Sequence, residues 1–266
     1  MDNEKQMPFL EHLSELRERI LKSLLTIFVF FLPAYYYSDR VFEILMKPLV
    51  ESLPKGSSLI FTHPTEGFTT YLKVSFFAAI IASFPMMLYQ GWKFVAPGLY
   101  KGEKRVLVPF VVFGSLFFAT GAFFCYAVAA PPAFKFLLGE YSSEHVRAFP
   151  SIGSALSFFM SLMIGFGIVF EFPVVTFILA RLGIVNAGML KRKRKYAILI
   201  SAIAAAVITP TTDALSMSLM LVPLLVFYEL SVVIAWLFGK ERTEEGEGES
   251  DVDDEDSNIV PPQMGG

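Results

Sequence analysis

The sequence predicts an all-α integral membrane protein: six transmembrane helices in a bent, concave bundle, with the N and C termini cytoplasmic. Three observations lead there. Of 266 residues, 54% are hydrophobic and 28 are Phe, above the roughly 45–50% apolar content of a soluble domain. The excess lies in runs, several near the roughly 20 apolar residues that a bilayer span needs. Finally, 16 of the 22 Lys and Arg residues fall on one side of the resulting map, and basic loops stay in the cytoplasm.

Residues 1–19 read as a cytoplasmic amphipathic segment. In Glu11-His12-Leu13-Ser14-Glu15-Leu16-Arg17-Glu18-Arg19-Ile20, the residues Leu13, Leu16 and Ile20 mark one helical face and Glu11, Glu15 and Glu18 another. Glu15 with Arg19 and Glu18 with Lys22 stand at the i,i+4 spacing that favours ion pairs. Span one follows at 20–38. The chain is polar up to Lys22 and no small-residue cleavage site follows, so this run is expected to stay as an uncleaved span. On the outer side, Val41, Phe42, Leu45, Met46, Leu49 and Val50 recur at helical spacing before Pro54 and Gly56. They predict an amphipathic helix across the outer face.

Span two covers 70–90 and span three 106–130. Between them lies a cytoplasmic loop rich in aromatic and basic residues, in which Ala96-Pro97-Gly98 is a turn signal and Glu103 suits the first turn of the next helix. Span four, 155–180, carries an acid at membrane depth, Glu171, followed by Pro173. An intramembrane carboxyl costs at least ~2.5 kcal/mol to insert and marks a functional cavity by default. A cluster of basic residues from Lys191 to Lys195 leads into span five, 196–208, which is short for a bilayer. The turn Thr209-Pro210-Thr211-Thr212-Asp213 makes spans five and six (215–238) an antiparallel hairpin, with Asp213 as a helix cap. Pro33, Pro85, Pro109, Pro173 and Pro223 favour kinks. Residues 20–238 thus form the membrane domain. The tail, 239–266, holds ten of the 25 acids and no aromatic residue, and is expected to be disordered.

Enzyme signatures are missing: there is no His-Glu-x-x-His, no Gly-rich phosphate loop and no serine elbow. His12 lies inside on this map and His63 and His145 outside, so they cannot share a metal. No metal, cofactor or nucleic-acid partner is expected. The single cysteine, Cys125, allows no internal disulfide.

Three motifs together resemble the TatC family, the large subunit of the twin-arginine protein translocase. They are Glu11-His12-Leu13-Ser14-Glu15-Leu16-Arg17, then Tyr89-Gln90-x-Trp92-x-Phe94-x-x-Pro97-Gly98-Leu99-Tyr100-x-x-Glu103-Lys104, and Phe166-Gly167-x-x-Phe170-Glu171-x-Pro173. The resemblance runs from about Pro8 to Phe238. It implies a receptor in the bacterial cytoplasmic membrane that binds twin-arginine signal peptides of folded proteins from the cytoplasmic side. Glu15 and Glu103 would accept the two guanidinium groups, each a planar fork suited to a carboxylate, with Arg17 and Phe94 from the same motifs beside them. Glu171 and Gln90 would line an intramembrane polar cavity. Thr211, Asp213 and Met217 would meet TatA- and TatB-type single-span partners; the family often has Gln where Met217 stands. Self-association, contact with membrane lipid and export driven by the proton-motive force are also implied. The alternative is a proton- or ion-coupled small-solute carrier working through Glu171, which would show substrate flux with the purified chain alone.

Overall fold

Helical periodicity dominates the computed structural model, which describes residues 3–95, 107–139, 148–209 and 213–239. Helix α1, Asn3–Tyr36, runs without a break from the polar N-terminal segment through the first apolar run. Its Ser and Thr hydroxyls turn back onto the helix, Ser23 to the Arg19 carbonyl and Thr26 to that of Lys22, so they leave no orphan donors in an apolar environment. Leu25 is 63% exposed and Phe28 61%. In water such a surface would be a liability; in a bilayer it is the lipid-facing side.

Helix α2, Ser38–Glu51, is the amphipathic outer helix, and it contains Pro48. It does not lie free on the membrane. Leu45, Met46, Pro48 and Leu49 are buried, whereas Val50 is exposed. The buried face packs on α3, Glu66–Val95, which also lies along α1. The chain leaves α2 through a turn closed by the Ser57 N–H on the Pro54 carbonyl at 3.1 Å. Gly56 takes φ 81° there, which only glycine adopts readily.

The third apolar run is longer than expected. Helix α4, Leu107–Phe124, passes through a π-helical turn at Cys125–Ala129 into α5, Ala130–Gly139. The wide turn immediately precedes Pro131 and Pro132, which carry no N–H, and the Ala130 N–H reaches back five residues to Cys125.

Helix α6, Ile152–Phe170, is the centre of the bundle, with Leu156, Phe159 and Phe166 fully buried. Small residues set its spacing from α4. A Cβ on Gly121 would stand 2.6 Å from the Phe166 carbonyl, and one on Gly167 would stand 2.5 Å from the Phe118 ring. Close backbone approach of this kind is how helices associate where lipid removes the hydrophobic drive. After α6 the helix breaks at Glu171 and resumes as α7, Phe172–Arg181, with Pro173 in its first turn. Pro85 and Pro223 by contrast lie within unbroken helices. Helix α7 ends in a Schellman cap: Gly183 (φ 69°) donates to Ala180 at 3.0 Å and Ile184 to Leu179 at 2.9 Å.

Helices α8, Ala187–Arg192, α9, Arg194–Ile208, and α10, Ala214–Phe238, complete the fold. Among the described residues, five stretches can cross a membrane by length and composition: Glu11–Tyr36, Glu66–Phe94, Leu107–Gly139, Ile152–Arg181 and Ala214–Phe238. Helix α9 is the exception. Its 15 residues reach about 22 Å at 1.5 Å each, against a hydrocarbon core of about 30 Å.

The N-terminal ends of α3 and α6 are tied together. Ile60 and Ser151 form an isolated parallel bridge, with the Ile152 N–H on the Ile60 carbonyl at 3.1 Å. Beneath it the Glu66 carboxylate, 7% exposed, accepts from the Gly153 N–H at 2.6 Å, the Thr62 N–H at 2.5 Å, the Thr62 hydroxyl at 2.9 Å and the Ser151 hydroxyl. Every neighbour is a donor, a set that suits an ionised carboxylate.

Candidate functional site

Helical spacing brings His12, Glu15 and Arg19 onto the side of α1 that meets α3. There Gln90 and Phe94, one turn apart, face them. The His12 and Phe94 rings stack with centroids 4.3 Å apart and planes 14° from parallel. Arg19 donates to Glu15 Oε1 at 2.9 Å and, more weakly, to Gln90 Oε1 at 3.5 Å. Gln90 is 3% exposed, and Arg19 Nε is buried without an acceptor. The result is a layered cluster along the α1–α3 seam: an aromatic pair, then a carboxylate, a guanidinium and a buried amide.

Of the residues expected to bind, Glu15, Phe94 and Gln90 therefore meet through Arg19 and His12. Arg17, two positions from Glu15, is exposed on another side of α1. Glu18 pairs with Lys22 as the spacing predicts. Glu103 and Thr211 lie outside the described residues. Lys93 sits 4.8 Å from the Tyr89 ring centroid, whereas Trp92 is buried and packs on Phe110 with centroids 4.9 Å apart, so this end of α3 is anchored to α4.

Glu171 stands apart from this cluster. Ten residues of α7 separate it from the basic end of that helix, about 15 Å by helical rise, or half of a hydrocarbon core about 30 Å thick. It is 7% exposed, and no side-chain donor reaches either carboxyl oxygen. Its backbone N–H turns back to the Ile168 carbonyl at 3.1 Å, the signature of the break before Pro173. Gly114 makes room for it: a Cβ there would stand 3.1 Å from Glu171 Oε2 and 2.7 Å from Leu88 Cδ1. Gln90 turns to Arg19 and not to this acid. A buried carboxyl with no side-chain donor is a costly arrangement, and here Leu88 of α3 and Gly114 of α4 stand beside it.

Asp213 caps α10, accepting from the Ser216 N–H at 2.7 Å, and Met217 follows one turn on, partly buried. Glu229, the second acid in an apolar run, reaches Arg194 at 2.6 Å, and the Tyr228 hydroxyl donates to the Leu190 carbonyl at 2.6 Å. Those contacts fasten the basic α8–α9 junction to α10. Among the described residues, no group of three or more His, Cys, Asp or Glu could hold a metal ion.

Sequence reasoning did not single out His12, Arg19 or Glu66 for these contacts. The i,i+4 pairing named Arg19 only as a surface partner; its second contact, 71 positions along the chain, has no local signal.

The comparisons agree on one family. The model for Sec-independent protein translocase protein (TatC) matches residues 11–223. A Sec-independent protein translocase protein TatC from Desulforapulum autotrophicum is 42% identical over 244 residues, covering 92% of this chain and 90% of its own length. The TatC of Escherichia coli is 37% identical over 246 residues, covering 92% and 95%. A crystal structure of the twin-arginine translocase receptor TatC superposes with a TM-score of 0.75 at 36% identity, over 84% of this chain and 97% of that one.

Proposed function

The chain belongs to the TatC family, and from that premise we propose that this translocase subunit is the receptor for twin-arginine signal peptides. As a family member it is a multi-pass protein of the bacterial cytoplasmic membrane, a transport component and not an enzyme. Family membership does not favour the small-solute carrier.

The observation that carries the proposal is the state of Glu15. Arg19 occupies Oε1 and holds the carboxylate on a rigid helix seam, with 24% of its side chain exposed. Oε2 remains an acceptor for an incoming guanidinium. A charge-assisted bond made there is stronger than in open water because the cluster is partly shielded. Glu103, in the loop beyond α3, is the acid for the second arginine. Phe94 offers an aromatic ring on which a guanidinium group can stack. The apolar part of the signal peptide then runs along the bundle towards Glu171, which acts in a later transport step. TatA- and TatB-type partners meet α9 and the Asp213–Met217 end of α10, where α9 exposes Ile198, Leu199, Ile200, Ile203 and Val207. Several copies of the chain join one complex, and the proton-motive force drives export.

The test is photocrosslinking of a twin-arginine peptide to the chain in membranes, with an Arg-to-Lys peptide as control. Adducts near Glu15 and in the loop holding Glu103, reduced in the control, support the assignment. Equal adducts from both peptides overturn it.

A further inference from the structure

We propose that a cavity between α4, α7 and α10 holds one acyl chain of an anionic phospholipid, whose phosphate Arg181 binds at the membrane surface. The cavity measures about 260 Å3 and is lined by Pro109, Phe113 and Phe117 of α4, Pro173 and Phe177 of α7, and Phe238 of α10. All are apolar, so it offers water no partners. A partner helix, some 10 Å across with its side chains, is too wide for it. A flexible acyl chain, the commonest apolar group at this depth, is not.

The charge stands where a phosphate belongs. Pro173, Phe177 and Arg181 succeed one another at spacings of four on α7, so they share one face. From Pro173 to Arg181 is about 12 Å of helix, less than one leaflet of a core about 30 Å thick. Arg181 is exposed in the last turn of α7. Phe177 and Phe238, with centroids 5.1 Å apart, close the cavity from the side of α10. From 172 to 212 the sequence holds Arg181, Lys191, Arg192, Lys193, Arg194 and Lys195 and no acid. Helix α8, which carries Lys191 and Arg192, packs against α10. Basic residues beside a pocket between membrane helices on the cytoplasmic side recognise anionic headgroups, and Arg offers a phosphate two parallel N–H groups. This site is separate from the α1–α3 cluster and does not depend on the receptor reading.

The experiment uses the full chain in phosphatidylethanolamine vesicles containing a trace of phosphatidylglycerol with a photoreactive diazirine on its acyl chain. Phosphatidylcholine with the same chain is the neutral comparison, and adducts are mapped by mass spectrometry. Phosphatidylglycerol adducts should concentrate on Phe113, Phe117 and Phe177, exceeding those from phosphatidylcholine about fivefold, the preference expected of one cation near the surface. Arg181→Gln should bring the two lipids level, and Arg181→Lys should keep part of the preference. Ile234 of α10 also lines the cavity, and Ile234→Trp, which fills it, should remove the adducts of both lipids from it. Adducts spread evenly around the bundle, or a headgroup preference unchanged in Arg181→Gln, would overturn the proposal.

Discussion

Glu15 and Arg19 depend on each other, 2.9 Å apart with 24% and 19% of their side chains exposed. Truncating the acid removes an acceptor for a peptide guanidinium and also deprives Arg19 of its counter-charge. Glu15→Ala should therefore weaken binding of a fluorescent twin-arginine peptide tenfold or more, in line with the roughly 1.5–3 kcal/mol of a hydrogen bond to a charged group. Glu15→Gln, which keeps an acceptor, should lose less. Glu103→Ala should resemble Glu15→Ala; unchanged titration curves for both Ala variants would remove these residues from the docking site. Glu171 should behave differently. Glu171→Leu should leave peptide affinity near normal and alter the export rate, with Glu171→Gln milder. Gly114→Ala would press a Cβ against Leu88 and the Glu171 carboxyl, and should give the same split between binding and export. Equal loss of binding in the Leu and Gln variants would instead put Glu171 in the recognition site.

Among the elements, the joined N-terminal ends of α3 and α6 depend most on one side chain. Glu66 satisfies backbone donors from two segments, the Thr62–His63 stretch before α3 and the start of α6 at Gly153. A Cβ on Gly153 would fall 2.9 Å from its Oε1, so the fit is close. Removing the carboxylate orphans those N–H groups where little water can replace it. Glu18, by contrast, pairs with Lys22 on an exposed face, where ion pairs contribute little. In detergent, Glu66→Ala should lower Tm clearly and Glu18→Ala hardly at all; equal shifts would mean that the outer latch does not stabilise the bundle. Helix α7 is bounded just as sharply, by Glu171 and Pro173 at its start and by its Gly183 cap at the end. Its length sets the depth of Glu171 below the basic surface.

For the whole molecule, the division of charge predicts orientation. Reporters fused after Lys240 or inserted near Lys191 should read cytoplasmic, and one near Ser142 should read outside. An outside signal at Lys191 would break the six-span map. The map includes α9, whose 15 residues fall short of a hydrocarbon core about 30 Å thick. Either the bilayer thins beside α9 or a partner covers it. The exposed apolar side of α9 and the buried acid at the α6–α7 break both suit a chain that works within a larger assembly.

The sequence by itself determined the fold class, the run of apolar helices, the Asp213 cap, the i,i+4 pairs on α1 and the family motifs. All of these are local: a helix repeats every few residues and a cap acts over three. The tertiary structure alone decided what lies beyond a single turn. It joined α2 to the bundle and buried its Pro48 face, and it carried the third helix on through a π turn. It set Arg19 between Glu15 and Gln90, stacked His12 on Phe94, closed Glu66 around the start of α6 and opened a space for Glu171 at Gly114. Those contacts pair residues far apart in the chain, and they arise from helix–helix spacing, which no local pattern records.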